Sequence, residues 1–295
     1  MSSADWRPVA SLATLRLRAQ LLRAVRAHFA TSIALEVETP VLVGSPVTDL
    51  HLESLAVHRT DGARIGFLHT SPEYAMKRLL CAGAPDIFQI THVFREGERG
   101  RRHNPEFTMV EWYRLGIDHH ELMDDVERLL RQLLEPHVPV GPTRRVTYAE
   151  AFRETLGLDP LACPTADIAV ALERHGASVP ASVANERDSL LDLAMATIVA
   201  AAFPDDRITF LYDFPASQAA LAQVRGTVAS RFEADGAERR RRGLPDRADD
   251  ARFIAALAAG LPPCAGVALG FDRVAMIAAG AASIDEVLAF PIERA

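Results

Sequence analysis

Residues 94–113 hold an arginine-rich loop between two strand-like segments. The charged members of the loop are Arg95, Arg99, Arg101, Arg102 and His103. Each guanidinium offers forked N–H donors that match the oxygens of a phosphate group. Four arginines alone are also typical of a solvated loop. The return strand adds Phe107, which is suited to stacking on a purine, followed by Glu111 and Tyr113. This combination favours a site for a nucleotide polyphosphate.

A second candidate is the segment GVALGFDRVAM at 266–276. Gly266 and Gly270 permit close approach of another group to the backbone. A pair of glycines at this spacing more often reflects tight packing in a soluble chain. Arg273 changes the interpretation, because it stands where a strand-like segment passes into a helix. The pattern therefore indicates a second part of a nucleotide site. A third feature, Pro40 in ETPVLVGSPVTD, is by itself only typical of a strand edge or start.

The elements that precede the arginine-rich loop can be predicted from periodicity. Apolar residues at helical spacing predict a helix over 12–32: Leu15, Ala19, Leu22, Val25 and Phe29. Residues 35–52 are strand-like, and 55–69 are predicted to form a hairpin that turns at Asp61-Gly62. A helix should begin at Ser71-Pro72, with Ser71 as its cap. Glu73 and Lys77 then face the same side of that helix.

Strands 88–94 and 107–115 are predicted to flank the loop, and a helix to follow over 119–135. Residues 147–200 are predicted to be helical, with breaks near 157–164 and 176–180. The segment 207–214 should resume the sheet, and a helix containing Arg239 to Arg242 should follow. The chain is expected to close with a strand at 266–271 and a glycine-punctuated helix. With no internal repeats, the simplest interpretation is one domain over 1–295 with a helical insert at 147–200.

Composition limits the class of protein. The formal net charge of −7 gives no indication of a dedicated surface for tRNA or DNA. Cys81, Cys163 and Cys264 are widely spaced without a CxxC pair, so neither a zinc site nor a disulfide framework is predicted. No apolar run is long enough to cross a membrane. These features predict an enzyme of the reducing cytoplasm. One oddity is that Lys77 is the only lysine.

The segments around Pro40, Arg95 and Arg273, in this order, resemble the three signature motifs of class II aminoacyl-tRNA synthetases. Three longer strings resemble the lysyl-tRNA-synthetase paralogues that ligate (R)-β-lysine to elongation factor P: TSPEYAMKRLL (70–80), HNPEFTMVEWY (103–113) and LYDFPASQAALAQV (211–224). The resemblance covers nearly the whole chain and includes no anticodon-binding domain. It implies an α+β fold with a class II synthetase-like antiparallel sheet flanked by helices, and a homodimer formed through the segment that ends at Pro40.

The resemblance also implies roles for individual residues. Arg95 and Arg273 would be the catalytic residues, holding the α- and γ-phosphates of ATP, and Phe107 would stack on adenine. The remaining nucleotide-binding residues would be Glu96, Gly97, Asn104 and Gly270. The amino-acid substrate, (R)-β-lysine or lysine, would be surrounded by Ser71, Pro72, Glu73 and Tyr113.

Ala268 stands where the resemblance places glycine in lysyl-tRNA synthetases and alanine in the ligases. One added methyl group on a pocket wall changes discrimination by about 1–3 kcal/mol. The resemblance therefore implies a preference for a β-amino acid. The implied reaction is ATP-dependent activation of this substrate and its transfer to a lysine side chain of elongation factor P.

One departure from the family is evident. Its members carry a GxELANGxxEL-type strand pair whose acids help to bind Mg²⁺, ATP and the substrate amines. Here SRFEADGAERRRRGLP (230–245) runs through that position, and Glu233 and Glu238 lie in a helical context. No metal ligands are therefore predicted, although the family implies Mg²⁺, and the sheet is expected to lose its central strands. Two alternatives to a working ligase follow: a weakened or inactive nucleotide-binding homologue, and a lysine–tRNA ligase, which the absent tRNA-binding module does not favour.

Overall fold

The computed structural model describes residues 6–47, 52–218 and 250–295. They fall into two compact units, Met1–Val138 with Val228–Ala295, and Pro139–Thr227. The interpretation as a single domain stays a prediction. The predicted helix at Arg239 to Arg242 and the residues Glu233 and Glu238 lie outside the described residues.

The first unit contains a four-stranded sheet in the order β1-β5-β6-β9. Its strands are β1 (Leu35–Glu36), β5 (Ile87–Phe94), β6 (Glu106–Leu115) and β9 (Cys264–Gly270). β5, β6 and β9 are antiparallel neighbours, while the short β1 is parallel to β5. The predicted α+β class and antiparallel sheet are confirmed, with one parallel strand at the edge. β6 and β9 pair directly, so no gap opens between the described strands.

The helices of this unit are α1 (Leu12–Thr31), α2 (Glu73–Cys81), α3 (His119–Leu134), α7 (Ala251–Gly260) and α8 (Phe271–Ala279). The predicted helix over 12–32 is confirmed, and Ser11 caps it by accepting a hydrogen bond from the Thr14 amide at 3.1 Å. Its buried face is rotated from the predicted one, because Leu21 and His28 are buried while Ala19 is exposed. No described helix has the length and apolar character required to cross a membrane.

The two faces of the sheet differ because side chains alternate along β6. Trp112 points to the side where α1 packs, and the Phe29 ring of α1 contacts it edge-on at 5.4 Å between centroids. The same Phe29 stacks on Phe88 of β5 at 4.2 Å. The odd-numbered residues of β6, from Phe107 to Tyr113, point to the opposite face. On the opposite face, Met76 and Leu80 of α2 pack against Ile87 and Tyr113, and the part of this face near Phe107 is left to carry a site.

Residues 35–52 do not form one strand. Pro40 lies between β1 and a second short strand, β2 (Leu42–Val43), which joins a different sheet with β3 (Ala56–His58) and β4 (Arg64–Leu68). The division is expected because proline has no N–H to donate to a ladder. β3 and β4 form the predicted hairpin, and Gly62 in its turn has φ +84°.

The second unit is a helical segment between two paired strands. β7 (Arg144–Thr147) and β8 (Thr209–Tyr212) are parallel, and the elements between them are α4 (Tyr148–Leu156), α5 (Thr165–Arg174), α6 (Arg187–Ala194), a π-helical turn (Met195–Val199) and a 3-10 turn (Ala200–Ala202). The helical prediction for 147–200 is confirmed. The prediction that 207–214 resumes the main sheet is wrong. The strand in this segment, β8, instead forms its hydrogen bonds with β7, which begins the same unit.

Candidate active site

A cavity of about 240 Å³ opens at the β5–β6 loop, beside the face of the sheet that carries Phe107. Six of the residues predicted to form the site line it: Arg95, Asn104, Phe107, Ala268, Gly270 and Arg273. Arg102, His103 and Glu98 of the arginine-rich loop line it too. Two sequence segments that are far apart in the chain thus meet at one cavity, as the motif interpretation requires.

Arg95 is held at the point where β5 ends. Its amide donates to the carbonyl oxygen of Pro105 at 2.8 Å, which closes the hairpin. Its guanidinium carbon lies 5.1 Å from the centroid of the Phe107 ring, and Nη1 donates to Glu98 at 3.3 Å. Nε is buried and has no hydrogen-bond partner among the residues described. A cation with an unused donor at a polar cavity is suited to an anionic ligand.

Arg273 reaches the same cavity from the first turn of α8. Nη2 donates to Nε2 of His103 at 2.7 Å, and Nε donates to the carbonyl oxygen of Arg102 at 3.3 Å. The neighbouring Asp272 is buried, accepts a hydrogen bond from the Thr108 amide at 2.8 Å and pairs with Arg18. Asp272 therefore ties the start of α8 to β6 and α1, and fixes the origin of the Arg273 side chain.

The remaining arginines of the loop are engaged elsewhere. Arg99 binds the carboxylates of Asp285 and Glu293, and these hydrogen bonds raise the pKa of its guanidinium. Arg101 donates to the carbonyl oxygen of Ala282 at 3.4 Å. These contacts anchor the loop to the last turns of the chain, and among the described residues Arg95, Arg102 and Arg273 are the arginines that line the cavity.

Asn104, Glu96 and Gly97 occupy different kinds of position. The buried Asn104 donates to the carbonyl oxygen of Glu106 at 2.7 Å and accepts from the Ile292 amide at 3.2 Å, so its amide shapes the loop. Glu96 and Gly97 do not line the cavity. Gly97 has φ +77°, which glycine adopts without strain in a turn. The structure therefore brings Asn104 to the predicted nucleotide site and leaves Glu96 and Gly97 behind it.

A carboxylate cluster lies further along the same face of β6. Glu111 is 2% exposed, and its two oxygens accept hydrogen bonds from Ser71 Oγ and Tyr113 Oη, both at 2.7 Å. Burial, together with the nearby charge of Glu73, raises the pKa of Glu111 to about 7. The same burial raises the pKa of Tyr113, so its hydroxyl stays protonated and donates. A buried carboxylate of this kind is suited to pairing with an ammonium group.

Glu73 begins α2 beside this cluster. Pro72 occupies the N-cap position, one residue later than predicted, but Ser71 Oγ still accepts a hydrogen bond from the Glu73 amide at 3.0 Å. The predicted pair across one turn is confirmed, because Lys77 Nζ lies 2.7 Å from Glu73 Oε1. Ser71, Glu73 and Tyr113 of the predicted substrate residues are thus brought together around Glu111. Pro72 is buried at the start of the helix.

Strand β9 lies beside β6 and contributes the residues next to Glu111 and Tyr113 on the site face. Ala268 is the cross-strand partner of Glu111, and Gly266 is the partner of Tyr113. A Cβ atom on Gly266 would stand 2.3 Å from the Tyr113 ring, so the ring lies directly against the glycine backbone. Ala268 therefore places its methyl group on the site face beside the buried carboxylate, as predicted.

A second cavity of about 370 Å³ lies where β2, α2 and the start of α7 meet, and Ser71 and Pro72 line it together with Pro40 and His69. Burial lowers the pKa of His69, whose Nε2 donates to the carbonyl oxygen of His92 at 2.8 Å. Ser71 thus stands between this cavity and Glu111.

Two site residues were not assigned from the sequence. Glu111 lies between Phe107 and Tyr113 at the alternation of a strand, so periodicity alone places all three on one face. That signal was available. The contribution of Lys77 depends on its burial, which periodicity on a nine-residue helix does not reveal.

Comparison with protein families matches residues 2–240 and 227–294 to the family described as tRNA synthetases class II (D, K and N). The chain is 42% identical to the Elongation factor P--(R)-beta-lysine ligase of Vibrio cholerae over 100% of both chains. It is 42% identical to the protein of that name from Vibrio parahaemolyticus, over 97% of this chain and 98% of the relative. For Pasteurella multocida the identity is 40%, over 99% and 98%.

These alignments also bear on the missing segment. The alignment with the Vibrio cholerae relative spans 331 positions, whereas the chain has 295 residues, so about 36 positions hold no residue of this chain. The family match is divided into two pieces that meet at 227–240. The relative therefore has a stretch that this chain lacks, and the division of the family match is consistent with a break near the predicted position.

Proposed function

The chain belongs to the class II tRNA synthetase family, and we propose that it is an ATP-dependent ligase that activates (R)-β-lysine, or lysine, and transfers it to a lysine side chain of elongation factor P. One observation carries the proposal. Arg95 and Arg273 share a cavity with Phe107, and the buried carboxylate of Glu111 lies on the same face of the sheet.

In the first step a carboxylate oxygen of the amino acid attacks the α-phosphorus of ATP. A new P–O bond forms, the bond to the β-phosphate oxygen breaks, and pyrophosphate leaves. The attacking carboxylate is already ionised at neutral pH, so no general base is required. The guanidinium groups of Arg95 and Arg273 hold the phosphates in line and offset the charge that develops on them. Phe107 supplies a ring for the adenine.

Glu111 and Glu73 supply the counter-charges for the substrate amines. (R)-β-Lysine carries two ammonium groups, and the cluster offers two carboxylates; Ser71 Oγ joins the carboxylate of Glu111 to the backbone amide of Glu73. Burial removes water from around Glu111 and so disfavours its charged form. A bound ammonium group would lower the pKa of Glu111 and favour the charged form again. Ala268 narrows this part of the site by one methyl group, which we propose as the feature that favours the β-amino acid.

In the second step the amine of an elongation factor P lysine attacks the acyl carbon of the adenylate. The C–N bond forms, the C–O bond to AMP breaks, and the amine proton passes to solvent. The net charge of −7 is in keeping with a protein acceptor and does not favour a tRNA acceptor. We also propose that the enzyme is a cytoplasmic homodimer, formed through the segment that ends at Pro40, and that 1–295 act as one catalytic domain.

Mg²⁺ usually accompanies ATP in this family, and the described residues do not fit a carboxylate-held ion. Glu98 pairs with Arg95, and Asp272 pairs with Arg18. Within 6–47, 52–218 and 250–295 there is no group of three or more acidic, histidine or cysteine side chains placed to hold a metal. We therefore assign phosphate neutralisation to the guanidinium groups of the cavity.

The mass of elongation factor P tests the proposal. Incubation of the protein with ATP, (R)-β-lysine and purified elongation factor P should raise the mass of the factor by one lysyl unit. Omission of ATP is the control and should leave the mass unchanged. An unchanged mass in the complete reaction would contradict the transfer, and a nucleotide-induced rise in melting temperature would then indicate a binding protein without ligase activity.

A further inference from the structure

We propose that Lys77 is a positioning residue that orients the Glu73 carboxylate to accept an ammonium group of the substrate. The inference rests on the function proposed above and concerns a residue that contacts the binding carboxylate and not the reacting atoms. It follows from three features: the burial of Lys77, the use of one oxygen of Glu73 only, and the link from Glu73 to Glu111.

Lys77 is 8% exposed, which is unusual for an ammonium group because removing it from water is costly unless it is paired. Its Nζ lies 2.7 Å from Glu73 Oε1, one helical turn away. A pair held in this way differs from the exposed i,i+4 pairs of a helix surface, which stabilise by only a few tenths of a kcal/mol. The burial fixes the Lys77 ammonium group and, through it, one oxygen of Glu73.

The two oxygens of Glu73 differ in their contacts within the described part of the chain. Oε1 accepts from Lys77, whereas Oε2 accepts no hydrogen bond from any described residue. The Glu73 amide donates to Ser71 Oγ, and the same hydroxyl donates to Glu111. Glu73 is therefore clamped at its backbone and at one oxygen, while the second oxygen is left for a ligand beside Glu111.

The charge of Lys77 matters as much as its contact. Glu73 raises the pKa of Glu111, whereas the positive charge of Lys77 lowers it. Without Lys77 the pKa of Glu111 would be higher, and this carboxyl group would more readily take up a proton. Lys77 therefore helps to keep Glu111 able to accept an ammonium ion.

An ammonium group suits this position better than a guanidinium. Lys77 is the only lysine among 32 basic residues, and every other one is arginine. The compact ammonium occupies a single oxygen, whereas the planar fork of an arginine binds both oxygens of a carboxylate. An arginine at this position would therefore cover Oε2 of Glu73 and close it to the substrate.

The test is a double-mutant cycle with Lys77→Met, Glu73→Gln and the double variant, together with Lys77→Arg. Dissociation constants for (R)-β-lysine are measured by calorimetry, and KM values for the amino acid and for ATP by ATP–pyrophosphate exchange. Lys77→Met and Lys77→Arg should each weaken amino-acid binding by about tenfold or more, the effect of one lost charge-assisted contact. KM for ATP should stay within a few-fold of the wild-type value.

The cycle separates positioning from a structural role. If Lys77 acts through Glu73, the double variant should bind no more weakly than Glu73→Gln alone, whereas independent effects would add. Arg131→Met is the matched control, since Arg131 forms an i,i+4 pair with Glu127 on α3. It should leave both KM values unchanged.

Each outcome decides the question. Additive losses, equal losses for ATP and the amino acid, or full function in Lys77→Arg would each overturn the role of Lys77. If Lys77→Met fails to fold, Lys77→Arg retains the charge and gives the same comparison. A wild-type protein that binds neither (R)-β-lysine nor lysine would overturn the proposed function itself, and with it this inference.

Discussion

At the scale of a single residue, the ionisation of the buried Glu111 carboxylate bears on how the site would bind an amine. Burial raises its pKa to about 7, close to neutral pH. An ammonium group interacts favourably only with the ionised carboxylate. Amino-acid affinity should therefore depend on pH across a range in which an ordinary glutamate would be fully charged.

The pH dependence gives the first prediction. Glu111 is ionised above its pKa and becomes protonated as the pH falls through 7, so KM for the amino acid should rise by about tenfold between pH 8 and pH 6. KM is measured by pyrophosphate exchange at each pH. Glu111→Gln should raise KM at pH 8 and remove the dependence. A wild-type KM that is constant over this range would contradict the assignment.

The arginines of the site give the second prediction. Arg273 lines the cavity, while Arg99 binds Asp285 and Glu293 away from it. Arg273→Ala should lower kcat/KM for ATP by about 10²–10³-fold, as expected for the loss of a preorganised charge at a reacting phosphate. Arg99→Ala is the matched control and should change it by only a few-fold. Equal losses in the two variants would contradict the claim that Arg273 acts through its position at the cavity.

At this scale, residue type and spacing alone identify more of the residues proposed to bind the nucleotide than of those proposed to bind the substrate amine. Arg95, Phe107 and Arg273 can be found from charge, stacking and a strand-to-helix junction, and they meet as expected. Glu96 and Gly97 are adjacent to Arg95 in the chain but lie away from the cavity, because a turn reverses the backbone there. Neighbours in a loop do not share a direction as neighbours on one strand face do.

At the scale of elements, the pairing of β6 with β9 positions the Tyr113 side chain at the proposed amino-acid site. Tyr113 and Gly266 are cross-strand partners, and the ring lies over the glycine because no side chain stands in its way. The large Tyr113 side chain on β6 thus lies opposite a residue without a side chain, Gly266 on β9. Gly270, further along β9, has a more open environment.

The two glycines give the third prediction. Gly266→Ala would place a methyl group 2.3 Å from the Tyr113 ring, which must move, so we expect a loss of about 1–3 kcal/mol in the free energy of unfolding and a raised KM for the amino acid. Gly270→Ala is the control, because its added methyl group would meet only the flexible side chain of Arg273 at 3.8 Å. Denaturant titration measures the free energy of unfolding of both variants, and pyrophosphate exchange measures KM for the amino acid. Equal stability of the two variants would contradict this account of the packing.

Long periodic elements could be predicted from the sequence, and partner strands could not. β5, β6, α1 and α3 lie within a residue or two of their predicted bounds because each presents one continuous apolar pattern. Pro40 divides 35–52 between two sheets, and 207–214 pairs with β7. Strand periodicity tells which residues face a core, but it does not tell which edge a strand will join.

At the scale of the whole molecule, the central question is whether the chain activates an amino acid although about 36 aligned positions of a relative have no counterpart in it. The relatives that align with nearly the whole chain are named as ligases, and Arg95, Arg102 and Arg273 line one cavity. Within the described part of the chain, Glu111 and Glu73 are the carboxylates that we propose for binding a substrate amine.

ATP–pyrophosphate exchange by the purified protein is the most direct test of this claim. Our account predicts exchange that requires (R)-β-lysine or lysine, saturates with the amino acid and falls by at least two orders of magnitude in Arg273→Ala. Binding of ATP, seen as a rise in melting temperature, without exchange in the presence of either amino acid would contradict it.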